Sequence, residues 1–166
     1  MSTVGDVHVL SRIAPGAAII VCATLGIADE AAGFGCQSDV GASEVCVPFV
    51  GCVGEQGDFF TGRALGRSEG TLAVETDSGT FCSGEWVPRN FIGVGQANFS
   101  CDDGRIGIAY FTYQDPRTGT ATGHGLLSDG SKLRVWTGNN IRQFLAVDPN
   151  NPNGNLTCAN SVVPIS

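Results

Sequence analysis

A turn signal that recurs at nearly even spacing through the middle of the chain constrains the fold more than any other feature. The turn glycines are Gly57, Gly79, Gly104 and Gly130, and the intervals between them are 22, 25 and 26 residues. Periods of this size are typical of repeat architectures. Aspartate or Asp-Ser precedes the last three of these glycines, and such pairs favour tight turns because glycine accepts a positive φ without a Cβ clash. The spacing therefore predicts a repeated β-hairpin.

An apolar, β-prone segment follows each turn and supplies the second strand of each hairpin. These segments are residues 58–65, 80–87, 105–113 and 131–138. No stretch has convincing helical periodicity, and 24 glycines in 166 residues disfavour helices. We therefore predict an all-β fold: an antiparallel meander of about eight strands made of repeated β-hairpins, arranged as a single sheet or an open barrel or sandwich and stapled by disulfides.

Two of these units resemble MORN repeats. Residues 57–62 (GDFFTG) and 79–86 (GTFCSGEW) share that family's order of a turn glycine, an aromatic residue, a glycine and then Glu-Trp or similar. The resemblance covers about residues 54–137, and in the last two units glycine, alanine, leucine and valine replace the expected aromatic residue and glycine. It implies an extended β-hairpin sheet used for scaffolding, dimerisation or contact with partners, and it implies no catalytic residue. The chain is also similar to small exported alphaproteobacterial proteins of unknown function.

The longest uncharged apolar run is residues 13–28, near the N-terminus. It is shorter than the roughly 18 to 20 residues of a membrane-spanning helix, and it contains a proline. Arg12 precedes the run and Asp29 follows its small residues, as in a secretory signal peptide. We predict that residues 1–28 are a signal peptide. The alternatives are a short retained anchor or interface strand, and a lipoprotein acylated at Cys22.

The rest of the chain divides into three segments by its cysteines and its repeat pattern. Residues 29–56 form a cysteine-containing N-terminal segment, and residues 57–147 form the hairpin-repeat domain. Residues 148–166 form a C-terminal tail that is stapled by Cys158. The predicted location of the mature protein is exported, and therefore periplasmic, envelope-associated or extracellular.

The number of cysteines supports export. Removal of residues 1–28 leaves an even number of them, which a disulfide framework in an exported chain requires. The six are Cys36, Cys46, Cys52, Cys82, Cys101 and Cys158. No C-x-x-C pair occurs, and the chain has only two histidines, His8 and His124. We therefore expect neither a metal site nor a cofactor.

The register of one predicted hairpin assigns a disulfide. A connection centred near Phe91 and Ile92 places Cys82 directly opposite Cys101, within disulfide distance. A bridge that closes a loop of this length stabilises by about 3 kcal/mol in the chain-entropy model. Two pairings stay open for the other four cysteines: Cys46–Cys52 with Cys36–Cys158, or Cys36–Cys46 with Cys52–Cys158.

The charge balance bears on the partners of the protein. Nine basic residues stand against sixteen acidic ones, which gives a net charge of -7 at pH 7. Such a surface repels phosphate backbones and anionic lipid headgroups. We therefore expect no nucleic-acid partner, and an anionic membrane surface is disfavoured.

Motifs that would support catalysis are scarce. The sequence has no G-x-S-x-G elbow and no glycine-rich phosphate loop that leads into a helix signal. His124 lies between two glycines in a predicted strand. A small hydrolase would need a carboxylate pair, for which Glu75 and Glu85 are candidates. We expect no enzymatic activity and assign no catalytic residue.

A binding or scaffolding module fits these observations best: a non-enzymatic exported or envelope β-sheet protein that acts through a protein partner or through self-association. Aromatic residues dominate interface energetics. The candidate partner contacts are Phe59, Phe60, Trp86, Tyr110, Tyr113 and Trp136. The alternatives are a structural subunit of a larger envelope or virion assembly, and the small hydrolase.

Overall fold

The computed structural model describes residue 36 and residues 45–165. The predicted signal peptide and Cys22 lie outside the described residues. The elements are β1 (Cys46–Val53), β2 (Asp58–Gly66), β3 (Gly70–Thr76), β4 (Phe81–Val87), β5 (Gly95–Cys101), β6 (Ile106–Asp115), β7 (Thr120–Leu127), β8 (Lys132–Thr137), α1 (Ile141–Leu145), β9 (Leu156–Cys158) and β10 (Ser161–Val163). Over these ranges, none of the helical structure is long and apolar enough to cross a membrane.

The first eight strands close into an antiparallel barrel. Each strand pairs with the next one in sequence, and β1 also pairs with β8, where Phe49 lies opposite Thr137 and Val53 lies opposite Leu133. The antiparallel meander is confirmed, and a closed barrel takes the place of the predicted single sheet or open form. Closure pairs the two sheet edges that an open meander, or the extended sheet implied by the MORN resemblance, would leave exposed. Turn spacing reports only neighbouring strands, so it did not reveal this pairing of the first strand with the last.

The barrel includes a strand that lies ahead of the predicted domain boundary. β1 pairs with β2 from Cys46 opposite Leu65 to Val53 opposite Asp58. The turn at Gly57 therefore joins two strands of one hairpin. The barrel begins with β1, which lies in residues 29–56, the segment that the turn glycines had separated from the hairpin-repeat domain.

Three of the tight turns share one hydrogen-bond pattern. Gly79 donates its N–H to the Thr76 carbonyl at 2.9 Å, and the Thr76 N–H donates to the Thr80 carbonyl at 2.9 Å. The turns at Gly104 and Gly130 repeat both bonds, and the three glycine φ angles are 86°, 86° and 87°. This is a three-residue hairpin loop that ends in a left-handed glycine. It confirms the predicted hairpin turns, and we call the end of the barrel that carries them and the β1–β2 turn the tight-turn end.

Aromatic rings pack against glycines inside the half of the barrel next to the tight turns. A Cβ on Gly51 would overlap the Phe60 ring, and a Cβ on Gly107 would overlap the Phe99 ring. Phe49 stacks on Phe60 with ring centroids 5.9 Å apart. The space left among these side chains is about 20 Å³, room for roughly one water molecule. This half of the barrel is therefore a filled core.

The C-terminal segment covers part of the outer wall of the barrel. Its helix α1 and its small hairpin β9–β10 pack on outward-facing side chains of β1, and Trp136 of β8 packs against the same cluster. The buried members are Val50, Cys52, Ile141, Leu156, Cys158 and Val163. The helix departs from the expectation of no helical structure. It is five residues long, too short for an apolar period to be visible in the sequence.

The disulfide assigned from hairpin register is present in the structure. Cys82 and Cys101 lie directly opposite each other on β4 and β5, with Cα atoms 3.9 Å apart, and their sulfurs are bonded. Both side chains are buried in the barrel interior. The bridge therefore ties two strands together close to the tight turns.

The other described disulfides are Cys36–Cys46 and Cys52–Cys158, the second of the two pairings that the sequence left open. A Cys46–Cys52 bridge is sterically excluded because both residues lie on the extended strand β1. Six residues of strand span about 20 Å, far beyond the reach of a disulfide. The Cys52–Cys158 bridge fastens the C-terminal segment to the outer face of β1.

Candidate functional site: a cavity at the open end of the barrel

Among the described residues, the end of the barrel opposite the tight turns is not closed by any segment. Its strands are joined by the β2–β3 turn and by longer connections at residues 88–94 and 116–119. A cavity of about 690 Å³ opens at this end, which is within the size range of small-molecule sites. We call it the mouth cavity. Its inner wall is formed by Val47, Phe49, Ala64, Trp86, Phe111, Tyr113 and Thr137.

Aromatic side chains in fixed positions form much of this wall. The Trp86 indole N–H donates a hydrogen bond to the Leu65 carbonyl at 3.0 Å. Phe111 sits where a Cβ on Gly95 would be, and Tyr113 meets it edge to face with ring centroids 5.8 Å apart. Burial raises the pKa of Tyr113, so its phenol stays neutral near pH 7 and can donate a hydrogen bond. The wall is therefore a rigid apolar surface with a few polar atoms.

Thr137 places an unpaired polar atom in this wall. It follows Val135 by two residues on the inner face of β8 and is only 6% exposed. Its Oγ1 has no hydrogen-bond partner among the described residues. Thr120 is also buried, but its Oγ1 bonds with the Thr118 hydroxyl at 2.8 Å and accepts the Asn140 N–H at 3.2 Å. An unpaired buried hydroxyl costs about 1 to 3 kcal/mol, so this side chain lowers the stability of the open half of the barrel.

The rim of the mouth cavity is positively charged. Arg67, Arg89 and Arg117 line it and are exposed, and the described residues that line the cavity include no Asp or Glu. The nearby Asp115 accepts hydrogen bonds from the Thr118 hydroxyl and the Arg117 backbone N–H, which lower its pKa. The Arg117 guanidinium only approaches that carboxylate, at 3.8 Å, and is 93% exposed. Arginines therefore line the opening of this cavity in a chain whose net charge is -7.

The connection after β4 is held in shape by Asn90. Its Oδ1 accepts a hydrogen bond from the Ile92 N–H at 3.0 Å, and its own N–H donates to the Val94 carbonyl at 2.7 Å. This turn leaves Phe91 96% exposed at its tip. Because the turn is closed by its own hydrogen bonds, the backbone of Arg89 enters it at a defined place beside the opening.

Two of the six predicted aromatic contacts lie in the mouth cavity. Trp86 and Tyr113 line its wall. Phe60 also points inward, but it is buried in the filled half of the barrel. All three side chains point into the barrel, a direction that becomes visible only once the barrel closes, and their role as partner contacts stays a prediction.

The other three predicted contacts lie on the outside of the barrel. Phe59 and Trp136 are partly covered by the C-terminal segment. Tyr110 is 43% exposed on the outer face of β6, near the exposed side chains of Ile106 and Leu126. The six residues therefore do not form one surface, because strand alternation sends neighbours such as Phe59 and Phe60 to opposite faces.

The sequence reasoning did not select Thr137 or the three rim arginines. A signal for the arginines was available: each stands in a connection that alternates along the chain with the tight turns. Alternate connections of an antiparallel meander lie at the same end, so the three had to converge. Thr137 had no such signal, because its inward direction and its lack of a partner depend on the closed barrel.

The candidate hydrolytic groups are not brought together. Glu75 and Glu85 are exposed on the outside of β3 and β4, and Glu85 pairs with Thr71, four residues along β3 from Glu75. That offset is about 13 Å, whereas the paired carboxylates of glycosidases lie about 5 to 9.5 Å apart. His124 is exposed on β7. Over residues 45–165, no group of three His, Cys, Asp or Glu side chains could hold a metal ion.

No protein-family model matches the chain, and no curated protein matches it, so the MORN resemblance stays a prediction. Among solved structures, a redesigned β-barrel, mFAP0, bound to DFHBI, is similar at 16% sequence identity and a TM-score of 0.45. That match covers 57% of this chain and 95% of the designed one.

Proposed function

We propose that this protein is a non-enzymatic binding module that holds a small, largely apolar molecule in the mouth cavity. The observation that carries the proposal is the mouth cavity itself, about 690 Å³ of unfilled space whose wall consists mainly of aromatic and aliphatic side chains. Ligand sites combine this kind of apolar surface with a few placed polar groups. The molecule would lie against Phe111 and Trp86.

The contrast with the rest of the interior supports this proposal. The half of the barrel next to the tight turns is filled to within about 20 Å³, while the mouth cavity measures about 690 Å³. Protein interiors are normally close-packed, and unfilled apolar space is destabilising. Both halves use the same inward alternation of glycines and aromatic rings. Aromatic side chains could therefore have filled the mouth cavity as they fill the other half. Open apolar space next to a close-packed core is the arrangement that a ligand site requires.

The fixed positions of the lining residues are a second support. Trp86 is anchored through its indole N–H, and Phe111 rests on the backbone at Gly95. Such preorganised walls lose little side-chain entropy when a ligand binds. Aromatic faces also accept a flat ring by stacking. A ligand with an aromatic or polyene body is therefore favoured over a flexible polar one.

A neutral fluorescent probe tests this proposal. N-phenyl-1-naphthylamine, which brightens in apolar surroundings, should bind the purified mature protein with saturable fluorescence. Ala64→Phe places a ring into the mouth cavity and should abolish that signal. Ala73→Phe is the matched control, because the same substitution on the outer face of β3 leaves the cavity unchanged. Saturable binding that is equal in both variants, or no binding to the wild type, contradicts the proposal.

Export of this module is also part of the proposal. Three disulfides join six of the described cysteines, which is compatible with an oxidising compartment. Cleavage of residues 1–28 would release the barrel and would leave those six cysteines. Intact mass of protein secreted from its native host, with and without reductant, should show a chain that begins after Ala28 and gains six hydrogens on reduction. A full-length mass without that gain contradicts export.

A further inference from the structure

We propose that the molecule held in the mouth cavity is an anion: an amphipathic ligand whose carboxylate, sulfonate or phosphate lies among the rim arginines while its apolar body reaches Phe111. This inference rests on the proposed function. It adds a chemical class of ligand, and its carrying observation is the set of arginines at the rim rather than the unfilled apolar space inside the barrel.

The distribution of charge over the barrel is the first argument. The described tight-turn end is rich in carboxylates, with Asp77, Asp102, Asp103 and Asp129 in its turns. At the mouth end, Arg67, Arg89 and Arg117 line the cavity, while the nearby carboxylates of Glu69 and Asp115 are not among its described lining residues. In a chain with nine basic and sixteen acidic residues, a positive rim does not follow from overall composition. The arginines therefore mark this end of the barrel for an anionic group.

The chemistry of the side chains is the second argument. The planar guanidinium group forms bidentate hydrogen bonds with the oxygens of carboxylate, sulfonate and phosphate groups. At the rim, the Arg117 guanidinium is 93% exposed and forms a loose ion pair with Asp115 at 3.8 Å. The Asp115 carboxylate also accepts hydrogen bonds from the Thr118 hydroxyl and the Arg117 backbone N–H. Arg89 enters a turn that is closed by hydrogen bonds. Both groups can close over an anion at the opening without breaking a buried ion pair.

The position of the arginines relative to the apolar wall is the third argument. Trp86 leads along β4 toward Pro88 and Arg89, and Tyr113 leads along β6 toward Pro116 and Arg117. Each wall thus runs from an aromatic ring inside the barrel to a cation at the rim within a few residues. A ligand that follows these walls has its apolar part inside and its charged end outside. A cationic ligand would instead meet the like charges of Arg89 and Arg117, which disfavours it.

A matched pair of probes tests the inference. 8-Anilinonaphthalene-1-sulfonate has the anilinonaphthalene skeleton of N-phenyl-1-naphthylamine with a sulfonate added, so the difference in affinity reports the anionic group. We expect the sulfonate to bind the wild type more tightly. Arg89→Gln and Arg117→Gln should each weaken sulfonate binding roughly threefold, and the double variant about tenfold, at low salt. In each of these three variants, the loss of affinity for the sulfonate should exceed any loss of affinity for the neutral probe.

Lys132→Gln is the control variant, because it removes one exposed cation from the opposite end of the barrel. It should leave both affinities unchanged. Tight binding of the neutral probe with no preference for the sulfonate, or equal losses for both probes in the arginine variants, overturns the inference and leaves the proposed function standing. Failure of both probes to bind overturns the proposed function itself. Equal losses in Lys132→Gln and the arginine variants indicate a general charge effect and also overturn the inference.

Discussion

The two halves of the barrel use the same inward alternation of small and aromatic residues and reach opposite results. Near the tight turns, Phe60 and Phe99 lie over glycines, and the Cys82–Cys101 bridge joins two strands inside the core. At the other end, Phe111 also lies over a glycine, but the strands run on into longer connections and the interior stays open.

The difference shows how one barrel can separate stability from binding. The filled half carries the close packing, the repeated turns and an internal disulfide. The open half carries the mouth cavity, its unpaired hydroxyl and its arginines. A substitution in the first half should act on the free energy of unfolding, and a substitution in the second should act on ligand affinity.

The largest expected effect separates the two halves by stability. Phe60→Ala removes a ring that is 4% exposed and stacked on Phe49, and should lower the free energy of unfolding by about 3 to 5 kcal/mol. Tyr113→Ala removes a half-buried ring that borders space already open, and should cost only about 1 to 2 kcal/mol. Urea unfolding followed by circular dichroism measures both. Equal losses of unfolding free energy in the two variants would contradict the difference in packing between the two halves.

A smaller effect on stability is expected at two buried threonines, with opposite signs at Thr137 in the open half and at Thr120. Thr137→Val removes an unpaired hydroxyl and should stabilise the ligand-free protein by about 1 kcal/mol. Thr120→Val removes a hydroxyl that is bonded to Thr118 and Asn140, and should destabilise by about 1 to 2 kcal/mol. Thermal unfolding without ligand distinguishes the signs. A loss of stability in both variants would show that Thr137 is paired after all.

The smallest expected effect concerns acid pH. Hydrogen bonds from the Arg105 side chain and backbone lower the pKa of Asp103, and the backbone N–H of Ser131 lowers the pKa of Asp129. A lowered pKa in the folded state means that the carboxylate stabilises the fold above its unfolded pKa of about 3.9, and that this contribution is lost as pH falls through the folded pKa.

Both carboxylates belong to the tight-turn end, and Asp115 is their counterpart at the mouth. Asp103→Asn and Asp129→Asn should each flatten the decline of the urea midpoint between about pH 4 and pH 2, because the titrating group is gone. The Asp115→Asn variant measures how much a carboxylate at the open end contributes to the decline of the urea midpoint with pH. Midpoint curves that keep the slope of the wild type in all three variants would show that these carboxylates do not contribute.

Features set by local sequence could be predicted. The Asp-Gly turns fix strands on either side of them, and the register of one hairpin is enough to place Cys82 opposite Cys101. Both depend on residues that lie close together in the chain. The turn geometry repeats because Gly79, Gly104 and Gly130 occupy the same left-handed position.

Features set by pairing across the whole chain could not be predicted. The contact between β1 and β8 decides that the sheet closes, and closure decides that Phe60, Trp86 and Thr137 point into an interior. The same limit left Cys52–Cys158 as one of two open pairings, because its partners are separated by 106 residues. The mouth cavity is a property of the closed barrel and of the lengths of its connections, and no short stretch of sequence contains it.

The two tryptophans offer the most direct test of the central claim, that the open end of the barrel is a binding site. Trp86 lines the mouth cavity, and Trp136 packs outside the barrel. In ¹⁵N-resolved NMR spectra their indole N–H signals can be assigned with Trp136→Phe and followed during titration with N-phenyl-1-naphthylamine. The account predicts saturable shifts of the Trp86 indole and of the Thr137 amide, with the Trp136 indole and the Gly104 amide unmoved. Shifts confined to Trp136 or to the tight turns would contradict it.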